Sequence, residues 1–468
     1  MSTVTTRNAP PGQTNAREHC DLLVCGSLVM TCDEDDRTIA HGAVAIRGNR
    51  IVAIGTQGEL AARFEAGETI DAGNQLVMPG FINSHNHTPL MIVRGMIEDR
   101  NFAPAYTRSL PNVHALSEEE THALSRAGAY ELLRGGITTA VDFYRHPRAL
   151  VAAADEVGLR AVISGRIHDA DTAELAQGHY VHKREIGDAT LRETLDLIAD
   201  GERRDNDRIR FDFGPHAADT CSRALLAEVA ALAAGRETNI HTHLAQSQKE
   251  VDHVLARDGV LPHRLFAEVG LLDERMIAAH CVFLEGEAIA EVGASGMAVA
   301  HAPHQNARVG NIAPVRDLAD AGARITLCTD TRSADMFEAM RLAVASARIR
   351  RKELEPKSRK ALSWVLSEPA AALRLPGVSG MLREGDKADL ILIDLDSPNL
   401  VPFVEGPGML VHSGQSLNVD TVIVDGRVRL RDRKPVGFDG RDIVREAQRV
   451  GARLWKAQGI ESPIAEPA

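Results

Sequence analysis

Two histidines one residue apart, His85 and His87, close an apolar stretch that begins at Gln75 and passes through Pro79, Gly80, Phe81 and Ile82. On an extended strand side chains alternate faces, so residues i and i+2 aim at one point. Two imidazoles converging on a point suit a metal ion. Other apolar runs end the same way. His241 and His243 follow Ile240, His280 follows Met276-Ile277-Ala278-Ala279, and Asp330 follows Arg324–Cys328 and Thr329. Histidines and a carboxylate delivered by separate strands form a ligand set of the catalytic type, with room for a water whose pKa the ion lowers. One histidine at a strand end is usually a hydrogen-bonded core residue. Five, each behind an apolar run, are not explained that way.

The elements that must carry these residues alternate between two types. From about Pro79 to Pro376, short apolar runs such as Thr138–Asp142, Ala161–Ile163 and Met297–His301 are separated by Ala/Leu/Glu/Arg-rich stretches of helical texture, including Glu118–Arg134 and Ser222–Gly235. Strands regularly followed by helices predict a parallel (β/α)8 barrel, whose C-terminal strand ends converge on one mouth. Before it, the runs 21–24, 42–46 and 50–55, with a turn at Arg47-Gly48-Asn49, predict a small β module. Strand patterns return at 385–394 and 419–427. The expected organisation is α/β: a tail over 1–19, a composite β-sandwich from 20–78 and 383–435, a barrel over 79–382, and a helix with a tail over 436–468.

The chain has 468 residues, 53 Lys and Arg against 65 Asp and Glu, a net charge of -12 and only 4% aromatic residues. Without a basic stripe, nucleic acid is not expected as a partner. Six scattered cysteines contain no C-x-x-C, which fits a reducing compartment. The N-terminus lacks a signal-peptide core, and no run is long enough to span a bilayer. A cytoplasmic protein with a small-molecule substrate and no membrane partner is the expectation.

With these residues in view, the sequence resembles the amidohydrolase superfamily, in its branch of mononuclear deaminases and chlorohydrolases. The resemblance covers about residues 20–435. It rests on Pro79–His87, Gly135–Asp142, His241–Ala245, Ala279-His280-Cys281, His301-Ala302-Pro303 with Asn306, Thr329-Asp330 and Gly385–Leu390, in that order. The resemblance implies a distorted (β/α)8 barrel with a split β-sandwich and, in many relatives, a homo-oligomer. By position it implies His85, His87, His243 and Asp330 as metal ligands, His280 beside the activated water, and Asp330 as the group accepting that water's proton. No lysine is placed to become a carbamylated bridge, so one divalent ion is expected. Zinc leads, with iron, cobalt and manganese as alternatives.

One position leaves the pattern. Deaminases of this branch carry His-x-x-Glu at the fifth strand, where the glutamate protonates a ring nitrogen; here the run is His243-Leu244-Ala245-Gln246. An amide donates and accepts hydrogen bonds but does not shuttle a proton near neutrality. Either another carboxylate substitutes, with Glu250, Asp219 and Glu98 as candidates, or the substrate needs no ring protonation. The second alternative leads to a urea, amide or carbamate carbonyl, such as a phenylurea or thiocarbamate xenobiotic. The first keeps an aminohydrolase or chlorohydrolase acting on a triazine, pyrimidine or purine. A non-catalytic barrel is the third class, against which the intact ligand set argues. Expected substrate contacts are His216, Gln246, His304, Asn306 and Arg332. His216 has an alternative reading as a helix cap, and Arg332 as a solvated loop residue. Met91, Ile92, Met96, Phe102 and Tyr106 suit either a covering loop, core or a subunit contact.

Overall fold

The computed structural model describes residues 17–99, 115–204, 206–331 and 334–464. Eight parallel strands follow one another in sequence order: Phe81–Asn86, Ile137–Tyr144, Arg160–Ile167, Ile209–Pro215, Ile240–Leu244, Met276–His280, Ala298–His301 and Arg324–Leu327. Helices fall between most of them, including Glu118–Arg134, Pro147–Val157, Arg184–Glu202 and Arg223–Ala233. Six of the strands are buried along their whole length, and only the starts of Ile209–Pro215 and Arg324–Leu327 reach the surface, as a sheet covered by helices requires. The expected barrel is therefore present, and its first and last strands meet through a parallel bridge between Asn86 and Asp330.

The barrel lumen is filled rather than open. Ile82, Val141, Val162, Ile277, Ala279, Ala298, Ala300 and Cys328 form one apolar cluster with Ala370, Leu373 and Leu375. This packed layer is a floor for the polar residues at the strand ends. Gly80 marks the entry to the first strand. A Cβ there would lie 2.2 Å from Thr138 Cγ2, so only glycine lets these neighbouring segments approach.

Strands from both chain ends build the second unit. A seven-stranded sheet joins Leu28–Met30, Thr38–Ala40 and Gln75–Pro79 to Leu390–Asp394, Val419–Val424, Arg427–Arg431 and Lys434–Pro435. A four-stranded sheet holds Glu18–Cys25, Gly42–Arg47, Arg50–Thr56 and Phe64–Asp71. Glu18 and His19, within the stretch expected as tail, already pair with Phe64 and Glu65. The strand Gln75–Pro79 pairs with Leu390–Asp394, so the run into His85 crosses from sandwich to barrel at Gly80. The C-terminal helix spans Gly440–Lys456 and packs against Glu118–Arg134.

One buried ion cluster joins the two units. Arg160, at the start of the third barrel strand, donates from Nε to Asp389 Oδ2 at 2.6 Å and from Nη2 to Asp425 Oδ1 at 2.8 Å. Burial works against the guanidinium charge, yet these carboxylates outweigh it and raise the Arg160 pKa. Asp389 Oδ1 also accepts the backbone amide of Asp425 at 2.6 Å. Removing one partner of a buried pair leaves the other charge uncompensated, typically at about 3–5 kcal/mol. Asp389→Ala is expected to lower the unfolding free energy by about that amount, measured by urea denaturation. A loss below about 1 kcal/mol would show that the cluster is not what couples sandwich to barrel.

Candidate metal centre

His85, His87 and His243 present three ligand atoms within 4.8 Å of one another, and all three residues are buried. The Nε2 atoms of His85 and His87 are 3.1 Å apart. What turns these nitrogens together is the other side of each ring. His87 Nδ1 hydrogen-bonds the Phe143 carbonyl, and His243 Nδ1 donates to the His216 carbonyl at 2.8 Å. A carbonyl can only accept, so each ring carries its proton on Nδ1 and offers a lone pair at Nε2. His85 Nδ1 lies 2.7 Å from His241 Nε2, with the two rings stacked at 5.0 Å. With the same tautomer at His85, its Nδ1–H donates to His241 Nε2. The His241 proton then sits on Nδ1, which is buried and has no partner among the described residues.

Electrostatics favours the same state. Burial holds the His85 and His243 imidazoles well below the usual histidine range, and neighbouring imidazoles push them further down. His87 is lowered as well, because burial outweighs the opposing pull of Asp330. Neutral rings are what a cation needs, so the donor set fits a divalent ion.

Asp330 and His280 complete the rim. Asp330 Oδ1 is 3.8 Å from His87 Nε2, and Oδ2 is 3.4 Å from His280 Nε2. The backbone of Asp330 is tied to the first strand: its N–H donates to the His85 carbonyl at 3.2 Å and its carbonyl accepts from His87 N–H at 3.4 Å. Both His280 (φ 75) and Asp330 (φ 56) are left-handed, an uncommon state for such residues and one that concentrates at functional sites. His280 Nδ1 donates to Asn306 Oδ1 at 2.9 Å.

The structure places the expected substrate contacts unevenly. Asn306 lies on the short helix Pro303–Arg308, and its side-chain oxygen is used on His280. His216 does not cap the following helix; Ser222 does, through its side chain and Leu225 N–H. His216 Nδ1 lies 2.6 Å from Thr220 Oγ1. His301 ends a barrel strand, and His304 pairs with Glu338 at 3.1 Å. Gln246 is half-buried in the turn after the fifth strand. Of the carboxylates named as substitutes, Glu98 accepts the Ile97 amide and Asp219 accepts the Tyr180 hydroxyl at 3.1 Å. Glu250 accepts backbone amides, at 3.1 Å from Ala245 and 2.8 Å from Gln246. Arg332, Phe102 and Tyr106 lie outside the described residues.

Residues 76–429 match the model of the amidohydrolase family. The chain belongs to this family. A shorter match, over 42–64, is to a bacterial imidazolonepropionase-like composite domain. The chain is 32% identical to a 5-methylthioadenosine/S-adenosylhomocysteine deaminase of Pelotomaculum thermopropionicum, covering 93% of this chain and 99% of the relative. It is 30% identical to a 5'-deoxyadenosine deaminase of Methanothermobacter thermautotrophicus, over 92% and 98%. Among solved structures, a zinc-bound adenosine deaminase from Xanthomonas campestris superimposes with a TM-score of 0.85 at 24% identity, covering 94% of this chain and 100% of that one. Atrazine chlorohydrolase of Arthrobacter aurescens, complexed with zinc, follows with a TM-score of 0.80 at 24% identity, over 92% and 100%. The family and the fold together make this a metal-type amidohydrolase acting on carbon–nitrogen bonds. The preference for urea, amide or carbamate substrates finds no support in these relatives, which point to the aminohydrolase alternative instead. Xenobiotic breakdown is likewise unsupported.

The geometry separates two jobs that substitution can tell apart. His243→Ala removes one of the three converging ring nitrogens and should abolish metal retention. Asn306→Ala removes only the anchor of His280. It should lower kcat/KM by about 10–100-fold, the usual cost of losing such a supporting hydrogen bond, with metal content unchanged by elemental analysis.

Proposed function

We propose that the chain is a metal-dependent aminohydrolase that replaces the exocyclic amino group of an adenine-type ring, carried on a 5'-modified ribose, by oxygen, releasing ammonia. The observation that carries this reading is the nearly full-length likeness, at 30–32% identity, to deaminases of methylthioadenosine, adenosylhomocysteine and deoxyadenosine.

His85, His87, His243 and Asp330 would hold one divalent ion, zinc first, and such an ion supplies a water acidic enough to act as a nucleophile near neutral pH. In this reading Asp330 accepts a proton from the attacking water and delivers it to the departing amine. His280, facing Asp330 Oδ2 from Nε2 at 3.4 Å, stabilises charge developing on the entering oxygen. Asn306 keeps the His280 ring in position for that task. The apolar layer beneath the strand ends excludes bulk water from the floor of the site, which strengthens each of these interactions.

The test is ammonia release. Purified chain supplied with zinc should deaminate 5'-deoxyadenosine or methylthioadenosine, lose that activity with a chelator, and regain it on adding zinc back. Turnover of phenylureas or thiocarbamates with none of these nucleosides would reverse the assignment in favour of carbonyl hydrolysis.

A further inference from the structure

A separate cavity of about 710 Å3 is lined by the helices Glu118–Arg134 and Gly440–Lys456, and none of His85, His87, His243, His280 or Asp330 reaches it. Small-molecule pockets usually measure about 300–1,000 Å3. The wall is mostly apolar, with Leu124 and Tyr130 from one helix, Ala447 and Trp455 from the other, and Met91 and Ile92 from the segment that follows His87. The Trp455 indole is fixed in place, its Nε1 donating to the Ile92 carbonyl at 2.8 Å. Gly451 also lines the cavity, and a Cβ there would meet nothing within 4 Å. A glycine inside a helix costs about 1 kcal/mol relative to alanine, and no close approach at Gly451 requires it.

One end of the cavity is cationic. Tyr130, Arg134, Arg433 and Val444 line both the cavity and an adjoining cleft of about 800 Å3, where Lys434, Arg441 and Arg445 join them. None of these five cations is ion-paired among the described residues, although the chain as a whole carries a net charge of -12. The nearby carboxylates are engaged elsewhere. Asp439 caps the C-terminal helix, Asp335 caps Met336–Arg351, and Glu131 pairs with Arg94. Arg134 is exposed and makes no hydrogen bond among the described residues; its guanidinium carbon lies 5.9 Å from the Tyr130 ring centre. Arg433 gives Nη1 to the carbonyls of Ser416, Leu417 and Val419. Burial and the neighbouring Arg134 charge lower the Arg433 pKa, with Asp420 and Tyr130 opposing. The neck between cavity and cleft therefore holds two mutually repelling guanidiniums, a repulsion that an anion placed there relieves.

We propose that this cavity is a second ligand site, distinct from the metal centre, and that it takes an amphipathic phosphate: an apolar alkyl or aryl body with a phosphate monoester at one end. The body lies against Leu124, Tyr130 and Trp455, where its burial supplies hydrophobic free energy. The phosphate sits at the neck between Arg134 and Arg433. Guanidinium forks match phosphate oxygens in geometry, and such charge-assisted bonds are about twice as strong as neutral ones. Lys434, Arg441 and Arg445 surround the same end and favour the doubly charged head over a neutral one. Neither end suffices alone, because the apolar wall does not hold inorganic phosphate and the cleft does not hold a neutral alcohol. The assignment is independent of the reaction at the metal centre.

Calorimetric titration of the zinc-loaded chain with octyl phosphate below its micelle concentration, with 1-octanol and with inorganic phosphate tests this. Octyl phosphate should bind at one site per chain, at least tenfold more tightly than either fragment. Arg134→Ala, at an exposed position, should lower that affinity at least tenfold and leave 1-octanol binding unchanged. Gly451→Leu fills the cavity while favouring the helix, and it should weaken octyl phosphate at least tenfold with zinc content unchanged. Sedimentation with phosphatidylcholine vesicles containing phosphatidic acid separates the two sources of this chemistry. A free ester predicts no co-sedimentation; co-sedimentation that is lost in Arg134→Ala assigns the same site to a lipid headgroup. No saturable binding, equal affinity for octyl phosphate and 1-octanol, or binding unchanged in both variants would overturn the proposal, whatever the chain does with nucleosides.

Discussion

Closure of the barrel at Asp330 is the constraint on which the site depends. The last strand returns to the first, and at the seam the Asp330 backbone bonds to His85 and His87 at once. Below that point Asn83 Nδ2 donates to Thr329 Oγ1 at 2.7 Å, and Ser84 Oγ donates to the Leu327 carbonyl at 2.8 Å. Above it, Arg94 Nε donates to the Thr331 carbonyl at 3.0 Å. Gly135 allows the same loop to come close, since a Cβ there would lie 1.9 Å from the Ala334 carbonyl oxygen. A slip of one residue at this seam would turn alternate side chains to the other face and scatter the converging histidines and Asp330. The register of two strands whose bonded residues Ser84 and Leu327 are 243 positions apart thus sets where His85, His87 and Asp330 meet.

The rim is expensive to maintain. Left-handed residues at Ala245, His280 and Asp330 each cost on the order of 1–3 kcal/mol when they are not glycine. His85, His241 and His243 share a buried space where burial and neighbouring imidazoles hold each ring below the usual histidine range. The surrounding packing must hold this arrangement against both penalties. The dry barrel floor and the buried Arg160 cluster that ties the barrel to the sandwich supply part of that support.

Much of this was readable in the chain. Two-residue alternation placed His85 and His87 on one point, and apolar runs ending in His243, His280 and Asp330 identified the other strand ends. What stayed hidden belongs to groups without a sequence signature. The carbonyls of Phe143 and His216 orient His87 and His243, yet any residue has a carbonyl. Arg160 and Asp389 are separated by 229 positions, and nothing local announces their pairing. Glu250 had a signal that was open to another reading. Ser247-Gln248-Lys249-Glu250 has the spacing of a capping box, in which the glutamate turns back on the backbone instead of serving chemistry. Here it reaches past the cap, to Ala245 and Gln246. Asn306 was legible as a polar residue near the mouth, but its target, the far side of the His280 ring, needed coordinates.

The central claim, that these strand ends make one centre for one ion, is tested most directly by X-ray absorption at the zinc edge on the zinc-reconstituted chain, with the metal counted by mass spectrometry. The account predicts one zinc per chain, with a ligand shell of three imidazole nitrogens near 2.0–2.1 Å and at least one oxygen. Two ions per chain with a metal–metal scattering path, or a shell without imidazole, would contradict it.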